Sequence, residues 1–96
     1  MRLRQVSRVP AIEETVAWAD LEGESVLLNV LEGLYFGLDE VGTMIWKLVS
    51  EGLAADQIVA RLLEEFEVAP EQLEGDVADF LLTLEAKKLI HFVEQH

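Results

Sequence analysis

Residues Ser25 to Val49 read SVLLNVLEGLYFGLDEVGTMIWKLV, and within this stretch the apolar period changes from that of a strand to that of a helix. Val26 to Leu31 is almost continuously apolar, Glu32 and Gly33 supply turn chemistry, and Leu34, Phe36 and Leu38 then alternate with Tyr35 and Gly37. That is a β-hairpin pattern. Asp39 follows, with a side-chain oxygen suited to the free amides of a new helix whose apolar positions Val41, Ile45, Leu48 and Val49 keep helical spacing. A strand that runs straight into a helix has no later strand beside it. Its outer edge is therefore expected to be open, with backbone groups available to an extended peptide.

Working outward, Thr15 to Asp20 alternates as a first strand with Val16 and Trp18 on one face, and Gly23 sits in the turn that leads to the second. Three antiparallel strands in a meander are the simplest arrangement, because no crossover helix separates them. Residues 1–12 read as an N-terminal arm, since Pro10 interrupts any regular element, and residues 13–96 as the folded domain. Gly52 ends the first helix, and a second covers about Ala54 to Phe66. Pro70 opens a third, where its missing amide costs nothing, with Leu73, Val77, Phe80, Leu81 and Leu84 as its apolar stripe. Gly75 either weakens this helix or admits another backbone, Lys87 and Lys88 suit its carbonyl end, and Leu89 to Val93 reads as a short strand or an extended tail. The expected class is α+β: a three-stranded antiparallel sheet followed by three helices, similar to a winged helix-turn-helix.

Ninety-six residues make one domain with a modest, mainly aliphatic core. The absence of cysteine excludes disulfides and thiolate chemistry and suits a reducing compartment, so the cytoplasm is expected. No apolar run is long enough for a signal peptide or a membrane span. Net charge is −12, and three of the seven basic residues, Arg2, Arg4 and Arg8, precede the folded part. Such a field disfavours phosphate backbones and anionic lipids and favours basic or neutral partners.

Nothing in the chain marks a catalytic centre. His91 and His96 have no acid at ligand spacing, no phosphate loop or serine elbow occurs, and neither a metal nor a cofactor is expected. The last two helices resemble a helix-turn-helix, which makes DNA binding the rival function. Against it, the third helix carries Glu71, Glu74, Asp76 and Asp79 and no basic residue before Lys87. Peptide capture fits better: the open strand Leu34 to Leu38 would offer main-chain bonds and the third helix a side wall. Core roles are expected for Phe36, Leu38, Val77 and Leu84, and groove roles for Tyr35, Asp76, Asp79 and Phe80. The two aspartates point to a partner with lysine or arginine near its anchor residues.

The segments VLLNVLEGLYFGLDEVGTMIWKLV, DQIVARLLEEFEV and DVADFLLTLEAKKLI together resemble the PqqD-like proteins, peptide-binding elements of pathways that modify ribosomally made peptides. The likeness covers about Thr15 to Ile90. It implies a winged-helix-like fold that binds the leader region of a precursor peptide instead of nucleic acid, performs no chemistry, and presents the precursor to processing enzymes. By that resemblance the leader adds as a strand beside Leu34, Tyr35, Phe36, Gly37 and Leu38. It lies against the helix face of Asp76, Val77, Asp79, Phe80, Thr83 and Leu84. A short free-standing chain of this kind is similar to the recognition proteins of lasso-peptide systems, which work with a leader peptidase and a cyclase. Other members serve radical SAM peptide-modifying enzymes. The chain departs from the family pattern at Ala54, where a serine or threonine cap is usual, and in its longer N-terminal arm. Either a monomer or a homodimer through the open strand is compatible with the sequence.

Overall fold

The computed structural model describes residues 8–94. Five strands and three helices follow in the order β1 (Arg8–Ile12), β2 (Val16–Leu21), β3 (Glu24–Asn29), β4 (Leu34–Leu38), α1 (Glu40–Ser50), α2 (Ala55–Leu63), α3 (Pro70–Ala86) and β5 (Ile90–Glu94). Strands β2, β3 and β4 form the expected antiparallel meander, so the expected third strand is β4. The α+β class and the strand-then-helix order agree with the sequence reading.

Local chemistry accounts for each junction. Glu22 and Gly23 both adopt positive φ, 59° and 94°, which is the two-residue turn whose twist matches that of paired strands. Asp39 Oδ1 accepts from the Gly42 amide at 2.8 Å and caps α1. At the start of α2, Ala54 has no side-chain cap, and only the return bond of a capping box remains: Gln57 Oε1 accepts from the Ala54 amide at 2.8 Å.

The inward face of the sheet supplies Ser25, Leu27 and Asn29, all buried. Leu27 meets Ile45, Trp46 and Val49 of α1, Ile58 and Leu62 of α2, and Val77, Leu81 and Leu84 of α3 in one cluster closed by Leu89 and Ile90. Each such side chain contributes about 1.5–3 kcal/mol by leaving water. Trp18 covers Trp46 edge-on, with ring centroids 6.1 Å apart and planes at 83°.

One part of the sequence reading is corrected. Arg8 to Ile12 is not an arm but a strand, antiparallel to β5, with Pro10 opposite Phe92. The Glu13 amide donates to the Leu89 carbonyl at 3.0 Å, one step beyond the Ile12–Ile90 pair. Bonded and non-bonded pairs alternate in such a ladder, so the Pro10 nitrogen faces away from β5 and no bond is lost. Arg2 and Arg4 lie outside the described residues. The alternatives for the C-terminal segment resolve in favour of a strand. Gly75 is exposed with open space around it, so no neighbouring backbone needs its missing Cβ.

Candidate peptide-binding site

The ladder pattern fixes which backbone groups of β4 are free. The Val30 amide donates to the Thr15 carbonyl at 2.9 Å, and these two residues continue the β2–β3 register. By alternation, Leu28 and Val26 bond towards β2, whereas Asn29, Leu27 and Ser25 bond towards β4. The 2.7 Å bond from the Gly33 amide to the Asn29 carbonyl agrees. The β4 partners of those three residues, Leu34, Phe36 and Leu38, therefore turn their backbone groups inward. The N–H and C=O groups of Tyr35 and Gly37 point out of the sheet along its open edge.

Helix α3 runs beside this edge. A Cβ added to Gly42 would lie 3.3 Å from the Phe80 ring and 3.4 Å from Leu38 Cβ, which places Phe80 at the Leu38 end of β4. The Lys87 ammonium stands 5.3 Å from the centroid of the Phe36 ring. Between Phe80 and Lys87 the helix thus passes from the Leu38 end to the level of Phe36, antiparallel to β4. Asp76, Phe80, Thr83 and Lys87 recur at spacings of four, three and four and form one stripe along that side. The backbone of α3 packs mainly on α2 and β5. Its approach to β4 rests on the Phe80 and Lys87 side chains, and the space between strand and helix is the candidate groove.

The expected site residues divide in two. Tyr35 is 71% exposed and Leu34 50%. Gly37, Asp76, Asp79 and Thr83 are also exposed, and Phe36, Leu38 and Phe80 are half-buried. Val77 and Leu84 are 1% and 2% exposed and belong to the core, where they back the helix wall without presenting surface. Thr83, though exposed, donates its hydroxyl to the Asp79 carbonyl at 2.9 Å within the helix.

Two residues of the groove escaped the sequence reading. Lys87 was assigned to the helix end, yet its place on the Asp76–Phe80–Thr83 stripe follows from spacing alone. Gly42 leaves room for the Phe80 ring of α3 against α1, and nothing in the local sequence separates it from an ordinary helix-interior glycine. Surface hollows among the described residues lie between α1 and α2 around Met44, Leu48 and Leu62, between α2 and α3 around Val59 and Val77, and beside Asn29 and Lys88. Strand addition needs an edge with a flanking wall, and a concavity is not required. Among the described residues no group of acidic or histidine side chains is arranged to hold a metal ion, and no helix is long and apolar enough to cross a membrane.

These features define a winged-helix-like α+β domain with an open wing strand beside its longest helix. The chain belongs to the PqqD family: the family model for coenzyme PQQ synthesis protein D (PqqD) matches residues 24–90. That match starts with β3 and stops at the first residue of β5, so β1 and β2 lie outside it. Among solved structures, "TbiB1 in Complex with the TbiA(beta) Leader Peptide" is 40% identical, with TM-score 0.83 over 84% of this chain and 94% of that one. "Lasso peptide synthetase B1 complexed with the leader peptide" shares the fold at 20% identity, with TM-score 0.80 over 86% and 98%. Comparison with the curated proteins returns no match.

Proposed function

We propose that this chain is a non-catalytic protein that captures the leader region of a ribosomally made precursor peptide and presents it to processing enzymes. The observation that carries the reading is the open edge of β4, with the outward backbone groups of Tyr35 and Gly37 beside the wall of α3. A leader lying there gains main-chain bonds from the strand and apolar contact from Tyr35 and Phe80. The 40% identity to a protein solved with a leader peptide supports leader binding as the function.

The partners are a leader peptidase and a cyclase of a lasso-peptide system, working in the cytoplasm. The protein's contribution is effective concentration: a tethered precursor meets its enzyme far more often than a free one. The acidic surface of α3 works against a DNA-binding use of the same fold.

Fluorescence anisotropy tests the reading. The probe is a labelled leader peptide from the short reading frame beside this gene, with duplex DNA as the control. Saturable binding of the peptide alone is expected. Binding of DNA alone, or of neither, overturns the proposal.

A further inference from the structure

The groove between β4 and α3 is electrically asymmetric. Towards its Leu38 end α3 carries the exposed Asp76 on the Phe80 stripe and the exposed Asp79 next to Phe80, and Asp39 is exposed at the start of α1. At the level of Phe36 stands Lys87, whose ammonium rests by the Phe36 ring. The other cationic side chains near these elements are engaged: Lys88 pairs with Glu32 at 3.5 Å and Lys47 with Asp20. Lys87 has no carboxylate partner among the described residues. On a chain with net charge −12, a free cation placed against an aromatic ring beside an open strand edge is a local exception.

We propose that Lys87 and the Asp76–Asp79 pair fix the direction of the bound strand. The peptide carries basic side chains where it passes Leu38 and a carboxylate where it passes Phe36 and Leu34. This deepens the leader-binding reading and rests on it. The proposed strand is antiparallel to β4, continuing the β2–β3–β4 meander, and so meets Leu38 first; in the leader's own sequence the basic residues then come before the acidic one. A strand entering the other way would bring its bases to Lys87 and its acids to Asp76 and Asp79. Like charges would then meet at both ends. Main-chain bonding to Tyr35 and Gly37 cannot make this distinction alone, because an edge strand accepts partners of either direction.

The test is a set of anisotropy titrations with the labelled leader from the neighbouring reading frame, at low and at physiological salt. The proteins are the wild type, Lys87→Gln and Lys87→Glu. A second leader has lysine in place of the carboxylate that follows its basic residues. Lys87→Glu should weaken the natural leader roughly three- to tenfold at low salt and less at higher salt, with a smaller loss for Lys87→Gln. The lysine-substituted leader should bind Lys87→Glu better than it binds the wild type. Lys87 is exposed, and circular dichroism of each variant checks that it is folded. A natural leader that binds Lys87→Glu and the wild type equally at both salts, or whose acids precede its bases, overturns the polarity and leaves leader binding intact. Failure of the wild type to bind the leader at all overturns the parent reading as well.

Discussion

Ser25 Oγ and Thr43 Oγ1 lie 2.7 Å apart in the core and join β3 to α1. Thr43 also donates to the Leu38 carbonyl at 3.4 Å, a long bond, so Ser25 is the donor between the two hydroxyls. Both residues are 2% exposed. The pair thus ties the middle strand to the end of β4 and to the helix that follows, just behind the candidate groove. Thr43→Val should cost about 1–3 kcal/mol, since the Ser25 hydroxyl is left buried without a partner. The double change Ser25→Ala, Thr43→Val should cost less than the sum of the single changes, because no orphaned hydroxyl remains. Urea unfolding of the four proteins measures the coupling.

Strand addition at β4 has a sharp test in the alternation of its amides. Tyr35→Pro removes an outward N–H and adds a ring at the open edge, while the inward bonds of Phe36 to Leu27 stay intact. Leader affinity should fall at least tenfold, with the thermal midpoint less affected. Phe36→Pro removes a bond to β3 and should destabilise the fold by about 3 kcal/mol, so its loss of binding is uninformative. Parallel melting curves and anisotropy titrations separate the two effects. A folded Tyr35→Pro protein that binds as tightly as the wild type is incompatible with a leader strand on this edge.

The β2–β3 turn carries a residue that its geometry does not favour. Glu22 has φ 59°, a region that costs a branched or long side chain roughly 1 kcal/mol and that asparagine enters more readily. Its side chain is exposed and has no bond to lose among the described contacts. Glu22→Asn should therefore stabilise the protein by about 0.5–1 kcal/mol, seen as a rise in thermal midpoint of several degrees.

Two helix glycines should respond in different ways to alanine. At Gly75 an added Cβ meets nothing, so Gly75→Ala should stabilise by about 0.5–1 kcal/mol through helix propensity. At Gly42 the same Cβ would lie 3.2 Å from Asp39 Oδ1 and 3.3 Å from Phe80. There the propensity gain is offset by displacement of the cap and of a groove residue. Gly42→Ala should weaken leader binding and Gly75→Ala should not, and paired unfolding and titration data check both.

What could be read from the chain depended on whether a local pattern carried the information. The meander was legible because Leu34, Phe36 and Leu38 alternate and Gly23 and Gly33 punctuate, and the helices because Asp39 and Pro70 mark their starts. Strand β1 was illegible: it is short, contains proline, and pairs with β5 at the far end of the chain, a contact with no local signature. The candidate site was legible as an edge and a helix, but not in its detail. Whether the amide of Tyr35 or of Phe36 faces outward depends on the bond between Val30 and Thr15, which is a matter of register between strands. Residue type does not report it. The apolar spacing of Val77 and Leu84 points to the core, where the structure has them; only the family resemblance adds them to the groove face.

The acid side of the stability profile should contain a contribution from Asp20. Its carboxylate bonds to the Lys47 ammonium first and to the Gly23 amide second, the latter at 2.9 Å, and both hold its pKa below the ordinary value of 3.8 against a smaller effect of desolvation. A carboxylate with a lowered folded-state pKa stabilises the fold at any pH above its unfolded value. That contribution disappears as pH falls from about the ordinary value through the lowered one. Both side chains of the ion pair are partly exposed, so the effect is modest and screened by salt. Lys47→Gln should move the Asp20 pKa back up towards its ordinary value, as followed by carboxyl-carbon NMR. Asp20→Asn should flatten the loss of thermal midpoint below about pH 4, because one fewer group then takes up a proton on unfolding. An Asp20 pKa that is unchanged in Lys47→Gln would show that the Gly23 amide alone sets it, and that the tie between the β2–β3 turn and α1 carries no electrostatic weight.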